Sequence, residues 1–251
     1  MEQILVEEGK VGTVTINRPD RRNALTVENT RELSEALVQV ATTARVVILT
    51  GAGSAFCAGG DFSELQRLAE AGEAEAGEQL YSGYQQMIRT VRALDVPVIA
   101  AVNGPAAGAG LDLALCCDLR VASTTATFGQ VWAKVGLIPG TAGAYWTTLL
   151  AGPARAAQML LTAEAIDART AAEWGLVNEV VPPDRLLERT SELAETIAAL
   201  PPGAVAANKR ALDDVLKPHY ERALDYAKVE QAKRFASEEF RQALYSRGSK
   251  T

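Results

Sequence analysis

Two glycine-rich segments carry the residues whose types and spacing could do chemistry. They read "TGAGSAFCAGGD" (residues 50–61) and "VNGPAAGAGLDL" (residues 102–113), and each follows an apolar run typical of a buried strand. A helix that begins at a glycine-rich turn offers backbone N–H groups without partners and the positive end of its dipole. Two such N–H groups aimed at one carbonyl oxygen form an oxyanion hole, which stabilises an enolate or a tetrahedral intermediate.

The same segments could instead form a dinucleotide site or a close contact between helix and sheet. Neither contains GxGxxG, because Phe56 stands where a third glycine should follow Gly51 and Gly53, and the glycines of the second segment are wrongly spaced. GxxxxGK[ST], GxSxG, HExxH and CxxC do not occur, so a P-loop, a nucleophile elbow and metal catalysis have no support. One segment alone would favour close packing, whereas two, both after strands, favour an oxyanion hole.

The elements that would position these segments alternate between strand and helix up to about residue 140. The pattern predicts a hairpin over 3–17, a helix from Thr26, and buried strands over 45–51 and 97–102. The low-complexity run "EAGEAEAGE" (residues 70–78) suggests a mobile surface turn. Residues 184–246 predict three or four helices, interrupted at "PPG" and at Pro218.

Composition narrows the class of protein. The chain has 251 residues, of which 48% are apolar, as in a globular protein with a large core. Its net charge of −6, without a dense Lys/Arg cluster, argues against nucleic-acid binding. The acidic N-terminus does not resemble a signal peptide, and three cysteines, two of them adjacent, are a poor disulfide framework, so we expect a cytoplasmic setting. The single histidine, His219, argues against a histidine metal site and is interpreted as a helix-surface residue.

Five motifs, in order, resemble the enoyl-CoA hydratase/isomerase (crotonase) family. They read "INRPDRRNAL", "AFCAGGDFSEL", "PVIAAVNGPAAGAGLDLALCCDLRVAS", "FGQVWAKVGLIPGTAG" and "AAEWGLVNEVVP", and the match runs from about residue 4 to 183. The resemblance implies an α/β fold with a superhelical core of ββα turns over residues 1–197 and a C-terminal helical trimerisation region over 198–251. It also implies an acyl-CoA ligand, a homotrimer or dimer of trimers, and no metal or redox cofactor, since coenzyme A is part of the substrate.

The resemblance assigns roles to residues of the glycine-rich segments. The oxyanion donors would be the backbone N–H groups of Gly60 and Ala109. The adenine and pantetheine path would run past Arg22, Ala24, Ala58, Gly59 and Asp61. Arg21 or Arg22 could meet the CoA phosphates, although solvated loop arginines are an equally good interpretation. Whether Tyr245, Arg247 or Lys250 reaches the CoA of a neighbouring subunit is left open.

The acid positions depart from the family pattern. Hydratases of the family hold one water between two glutamates and add it across the C2–C3 double bond. Asp112 stands at the first of these positions and Trp132 at the second, and some isomerases have an aspartate where this chain has Gly140. Trp132 and Gly140 are therefore expected to line the substrate site, where the indole N–H of Trp132 could also donate a hydrogen bond to a substrate or a water but cannot act as a base.

Asp112 is the expected single acid–base group. It is one methylene shorter than glutamate, and a displacement on the order of 1 Å can cost about 10²-fold in rate. Its place in the first turn of a helix lowers the pKa, whereas Trp132, as a wall that excludes water, would raise it. Stabilisation of the helix start is the structural alternative for Asp112, and a packed small residue is the expected role of Cys57.

The expected function is that of an acyl-CoA-processing enzyme of the hydratase/isomerase type. Enoyl-CoA hydration, a lyase reaction, is the family default. The alternatives are isomerisation, decarboxylation, thioester or C–C hydrolysis on the same scaffold, and acyl-CoA binding without turnover.

Overall fold

The computed structural model describes the backbone of residues 2–71 and 73–248, and their side chains except at 68–69, 71, 73–81 and 245–248. The strands are β1 (Ile4–Glu7), β2 (Val11–Ile16), β3 (Val46–Gly51), β4 (Val98–Val102), β5 (Ala106–Ala107), β6 (Leu119–Ser123), β7 (Thr127–Gly129), β8 (Ala165–Asp167) and β9 (Glu179–Val181). The helices are α1 (Val27–Ala41), α2 (Phe62–Ala71), α3 (Glu73–Ala93), α4 (Ala109–Cys116), α5 (Gly143–Ala151), α6 (Pro153–Thr162), α7 (Ala168–Glu173), α8 (Leu186–Ala198), α9 (Pro202–Phe235) and α10 (Glu238–Gly248). Short 3₁₀ helices span Pro19–Arg21, Val131–Val135 and Pro183–Arg185.

A six-stranded sheet forms the centre of the fold. Its strand order is β1-β2-β3-β4-β6-β9, and every neighbouring pair is parallel except the hairpin β1–β2. Every residue of β3 and β4 is buried, as expected for central strands covered on both faces. The α/β class, the hairpin and both buried strands are as the sequence predicts.

The sheet brings the two glycine-rich segments to one edge. β3 and β4 pair in parallel, with Leu49 opposite Ala100, so their carboxyl ends meet on the same side. The segment after β3 leads into α2 and the segment after β4 leads into α4. A second sheet of β5, β7 and β8 lies beside this edge, and an isolated parallel bridge links Cys57 of the first segment to Ala106 of β5.

Helix α1 shows how local sequence sets an element boundary. The hydroxyl of Thr26 accepts a hydrogen bond from the backbone N–H of Asn29 at 3.1 Å, and the Asn29 side chain accepts one from the backbone N–H of Thr26. These two bonds satisfy donors that the first helical turn leaves open. The helix predicted from Thr26 therefore begins where the sequence places it.

Two expectations about helix boundaries are wrong. The run at 70–78 is not a turn from residue 73 onward, because α3 begins at Glu73, and its alanines and glutamates are good helix formers. Pro218 does not interrupt a helix, because α9 continues through it. Proline removes one N–H donor, but the helix is held against the core on both sides of Pro218, by buried Lys209 before it and buried Leu224 after it.

The C-terminal helices are tied to the core by buried charges. The ammonium of Lys209 on α9 lies 2.8 Å from the carboxylate of Asp118, which also pairs with Arg92 of α3 at 3.2 Å. Arg92 pairs in turn with Asp213 of α9 at 3.0 Å. The predicted boundary after residue 197 falls at the end of α8 and stays a prediction.

Candidate functional site

The two glycine-rich segments touch each other at the edge of the sheet. A Cβ atom on Gly59 would stand 2.7 Å from the carbonyl oxygen of Ala107 and 3.4 Å from the amide nitrogen of Ala109. Gly59 also has a φ of 94°, which side chains other than glycine rarely adopt. Glycine at this position therefore allows the two backbones to approach.

The backbone N–H of Gly60 points away from the segment around Leu25, with which Gly60 forms an isolated parallel bridge. Leu25 donates to the carbonyl oxygen of Gly59 at 2.7 Å and accepts from the N–H of Asp61 at 2.7 Å. In such a parallel bridge the N–H of the residue between, Gly60, is directed to the other side. No acceptor for it occurs among the described residues.

The N–H of Ala109 has no acceptor within its own helix, because Ala109 lies at the start of that helix. Ala109 is the first residue of α4, and Asp112 is the first whose N–H closes the opening turn, by donating to the carbonyl oxygen of Gly108 at 3.0 Å. The N–H of Ala109 has no acceptor in the described part of the chain. Gly60 and Ala109 thus offer two unpaired donors, one from each segment, at the positive end of a helix dipole.

Both donors lie on the wall of a cavity of about 580 Å³. Apolar side chains form much of the remaining wall, and at the mouth Arg21 is exposed to solvent. The lining residues are Arg21, Ala24, Ala58, Gly59, Gly60, Asp61, Phe62, Ser63, Leu65, Gly108, Ala109, Val131, Trp132, Val135 and Leu137. A mostly apolar cavity with two unpaired backbone donors on its described wall suits a ligand that carries one carbonyl group in an apolar body.

Asp61 lines the cavity, but both of its carboxylate oxygens already have partners within the protein. Its carboxylate accepts from the hydroxyl and the N–H of Ser63, at 2.6 and 3.1 Å, and so caps α2. It also pairs with Arg18 at 3.1 Å. Burial acts to raise the pKa of Asp61, but the bonds from Ser63 and the charge of Arg18 outweigh it, and the pKa is lowered. Asp61 is therefore an ionised structural carboxylate.

Asp112 is fully buried inside a small polar cluster. One carboxylate oxygen accepts from the side-chain amide of Gln130 at 2.8 Å, and the other accepts from the hydroxyl of Thr141 at 2.5 Å. The Gln130 amide also donates to Thr147 at 3.0 Å. A Cβ atom on Gly143 would lie 2.0 Å from the Asp112 carboxylate, so only glycine fits there.

Burial decides the charge state of Asp112. Burial raises its pKa to about 7, although the hydrogen bonds from Thr141 and Gln130 act to lower it. The raising effect of burial on the pKa therefore prevails over the lowering effect of these two hydrogen bonds. A carboxyl group with a pKa near neutrality can both accept and donate a proton at physiological pH.

Trp132 forms the cavity wall next to this cluster. Its indole carbons lie 3.5 Å from the position that a Cβ atom on Gly108 would occupy, and only 8% of the residue is exposed. The indole N–H has no hydrogen-bond partner among the described residues. Trp132 and Gly108 line the cavity, whereas Asp112 and Gln130 do not.

The structure brings most of the predicted site residues together and separates three. Ala24, Ala58, Gly59, Gly60, Asp61, Ala109 and Trp132 line the cavity. Arg22 is exposed and outside the lining, where Arg21 is found instead. Gly140 is buried and accepts a hydrogen bond from Gln85 at 3.1 Å, away from the lining. Asp112 is the third predicted site residue that does not line the cavity.

Sequence reasoning missed Thr141 and left Gln130 and Tyr84 unassigned. Thr141 lies 29 residues from Asp112, and no motif signals that its hydroxyl reaches the carboxylate. The Tyr84 hydroxyl donates to the carbonyl oxygen of Leu25, which supports the turn that carries Gly60.

Cys57 and His219 have the structural roles expected from the sequence. Burial raises the pKa of the Cys57 thiol to about 12, which keeps it from acting as a nucleophile. His219 is exposed on α9 and stacks on Tyr145.

The expectation that Tyr245, Arg247 or Lys250 reaches the CoA of a neighbouring subunit is not tested. The side chains of Tyr245 and Arg247, and all of Lys250, lie outside the described residues.

Within the described ranges, no three His, Cys, Asp or Glu side chains are grouped to hold a metal ion. None of the described helices combines the length and the apolar character needed to cross a membrane.

Comparisons with known proteins place the chain among relatives of one family. The family model described as enoyl-CoA hydratase/isomerase matches residues 7–249. The chain is 36% identical over 244 residues to the short-chain-enoyl-CoA hydratase of Clostridium acetobutylicum, covering 96% of this chain and 92% of that protein. It is 35% identical over 248 residues to the 1,2-epoxyphenylacetyl-CoA isomerase of Escherichia coli K12, covering 97% and 94%. The crystal structure of an enoyl-CoA hydratase/isomerase from Mycobacterium paratuberculosis matches with a TM-score of 0.90 at 31% identity, covering 97% of this chain and 98% of that one.

Proposed function

The chain belongs to the enoyl-CoA hydratase/isomerase family, and from this we propose that it is an acyl-CoA-processing enzyme that stabilises a thioester enolate. The observation that carries the proposal is a pair of N–H groups, on Gly60 and Ala109, that lie on one cavity wall and have no acceptor among the described residues. They donate to the thioester carbonyl oxygen, and the bonds strengthen as negative charge develops on that oxygen. No metal or redox group is needed for this step.

Hydration of a C2–C3 double bond is the reaction we assign. Water adds to C3 while the π electrons move through C2 to the carbonyl oxygen, which gives an enolate held by Gly60 and Ala109. Asp112 takes the proton that the water loses and returns a proton to C2, so that one carboxyl group serves in both steps. Its pKa of about 7 suits this double role.

The position of Asp112 on α4 supports the assignment. Asp112 lies three positions after Ala109, which places it about 4.5 Å along the helix axis on a neighbouring part of the same face. Helical side chains lean toward the N-terminus, and the carboxylate therefore leans toward the oxyanion donors. Direct proton exchange requires the indole of Trp132 to shift enough to admit C2 and C3, because Asp112 does not line the cavity.

Turnover of crotonyl-CoA tests the proposed reaction. We expect loss of the absorbance of the conjugated enoyl thioester and a product heavier by one water in mass spectrometry. Asp112→Asn should lower kcat by about 10²-fold or more, because amides exchange no proton near neutral pH. Wild-type turnover that survives Asp112→Asn unchanged would remove Asp112 from the mechanism, and a product of unchanged mass would assign isomerisation instead of hydration.

Acyl-CoA binding without turnover is the second candidate function. The observation that favours it is the cavity wall itself, where Asp61 is the one carboxylate among the described lining residues and is already paired with Arg18. Saturable binding of butyryl-CoA, with no conversion of crotonyl-CoA over hours, would favour this function over hydration.

We also propose that the protein assembles as a homotrimer or a dimer of trimers through its C-terminal helices. α9 exposes large apolar side chains, among them Leu212, Val215, Tyr226 and Val229, each more than 60% exposed. Apolar side chains repeated along one helix are typical of a buried contact. Light scattering after gel filtration should give three or six times the 26.7 kDa of one chain, and a monomer would contradict the proposal.

A further inference from the structure

Among the described residues that line the cavity, Trp132 carries the largest buried side chain. The mouth is marked by exposed Arg21, and the inner wall by buried Ala109, Trp132 and Leu137. A thioester whose carbonyl oxygen meets Gly60 and Ala109 directs its CoA part to the mouth. Its acyl part then points to the inner wall, toward the indole of Trp132.

From this arrangement we propose that Trp132 sets the acyl length limit and that the protein takes short acyl groups, of the size of butyryl or crotonyl. The inference rests on the proposed function, because it presupposes an acyl-CoA in the cavity. It deepens that function by naming the class of acyl group.

The backbone that carries Trp132 is held by contacts of its neighbours. Its carbonyl oxygen accepts from the N–H of Leu137 at 3.1 Å, and Gln130, two residues before it, is bonded to Asp112 and Thr147. The 3₁₀ helix that carries it ends at Gly136, where a Cβ atom would lie 3.2 Å from the backbone of Phe240. These contacts fix the backbone of residues 130–137, so we expect the indole to shift by a side-chain movement and the wall itself to stay in place.

The region beside Trp132 is also unsuited to an apolar tail. Asp112, Gln130, Thr141 and Thr147 are each at most 1% exposed and are bonded to one another. An acyl chain entering this cluster would break those bonds without replacing them, and unpaired buried polar groups are costly. The wall is thus backed by a polar cluster that an alkyl chain cannot join.

The affinity of saturated acyl-CoAs tests the proposal without depending on turnover. Free CoA, butyryl-CoA and octanoyl-CoA are titrated by calorimetry into wild type, Trp132→Ala, Trp132→Phe and Trp174→Ala. Each methylene buried in the protein is worth about 0.8 kcal/mol, or about fourfold in Kd. Trp174 is a matched control, because it is a half-buried tryptophan that stacks under Arg155 and does not line the cavity.

We expect wild type to bind butyryl-CoA more tightly than free CoA and to gain nothing further from octanoyl-CoA. Trp132→Ala should bind octanoyl-CoA about tenfold or more tighter than wild type, with butyryl-CoA within about threefold. Trp132→Phe, which keeps most of the wall, and Trp174→Ala should retain the wild-type profile.

Three results would overturn the inference. One is wild-type affinity that keeps rising at about fourfold per methylene from butyryl to octanoyl. Another is an unchanged profile in Trp132→Ala, provided that circular dichroism shows a folded protein; if that variant does not fold, Trp132→Leu takes its place. The third is the absence of binding by CoA and both thioesters, which overturns the proposed function as well and is thereby distinct from the first two.

Discussion

Replacing Asp112 by asparagine should make the folded protein more stable at neutral pH. The substitution fits the site, because the asparagine oxygen can accept from Gln130 while its amide donates to the Thr141 hydroxyl, which can reverse its role. What the substitution removes is the carboxyl group of Asp112, which gains and loses a proton as the pH changes. Burial raises the pKa of Asp112 to about 7 in the folded state, whereas the unfolded chain titrates near about 3.9.

The direction in which stability changes with pH follows from whether the folded or the unfolded state keeps the proton on Asp112. Below about pH 4 both states are protonated, and between about pH 4 and about pH 7 only the folded state keeps the proton. The free energy of unfolding of wild type therefore falls as the pH rises through this window and levels off above it. Three pH units at about 1.4 kcal/mol each give about 4 kcal/mol at most, a loss that Asp112→Asn escapes.

Urea denaturation followed by tryptophan fluorescence, from about pH 4.5 to about pH 8, measures this difference. The advantage of Asp112→Asn over wild type should grow with pH and reach a plateau near pH 7. Asp167→Asn, at an exposed helix N-cap whose carboxylate has a lowered pKa, should show no such growth. A difference between Asp112→Asn and wild type that is constant across the pH range would refute the assigned pKa of Asp112.

Three further predictions concern residues around the site and its supporting helices. Thr141→Val removes a hydrogen bond that lowers the pKa of Asp112, so the midpoint of the pH–rate profile should move upward, while Thr141→Ser should leave it in place. Lys209→Met leaves the partly buried Asp118 with one cation fewer and should cost about 3 kcal/mol of unfolding free energy, whereas Arg210→Met, in an exposed pair, should cost less than about 1 kcal/mol. Equal losses would contradict this. Ala142→Gly should raise stability by about 1 kcal/mol, since Ala142 has a φ of 63°, and a lower melting temperature would count against it.

Patterns that act over a few residues predicted much of the fold. The alternation in β1 and β2, the continuous apolar runs of β3 and β4, and the capping residue Thr26 each determine one element locally. The two errors arose where tertiary contacts or helix propensity override a breaker signal. Pro218 is the clearest case, since α9 is anchored on both sides of it.

The site could be predicted only as far as its backbone. The glycine-rich segments follow adjacent parallel strands, so their meeting at one sheet edge follows from topology. The environment of Asp112 could not be foreseen, because Thr141 and Gln130 reach it from distant loops and the sequence does not reveal how deeply it is buried. The sequence also could not decide that Arg21 lines the cavity and Arg22 does not, because this depends on the turn geometry of a short 3₁₀ helix.

A crystal structure of the protein with bound butyryl-CoA tests the central claim most directly. The account predicts the thioester carbonyl oxygen at about 2.7–3.1 Å from the amide nitrogens of both Gly60 and Ala109, with the acyl chain against the indole of Trp132. A carbonyl oxygen that meets neither nitrogen, or a thioester bound outside the cavity, would contradict it.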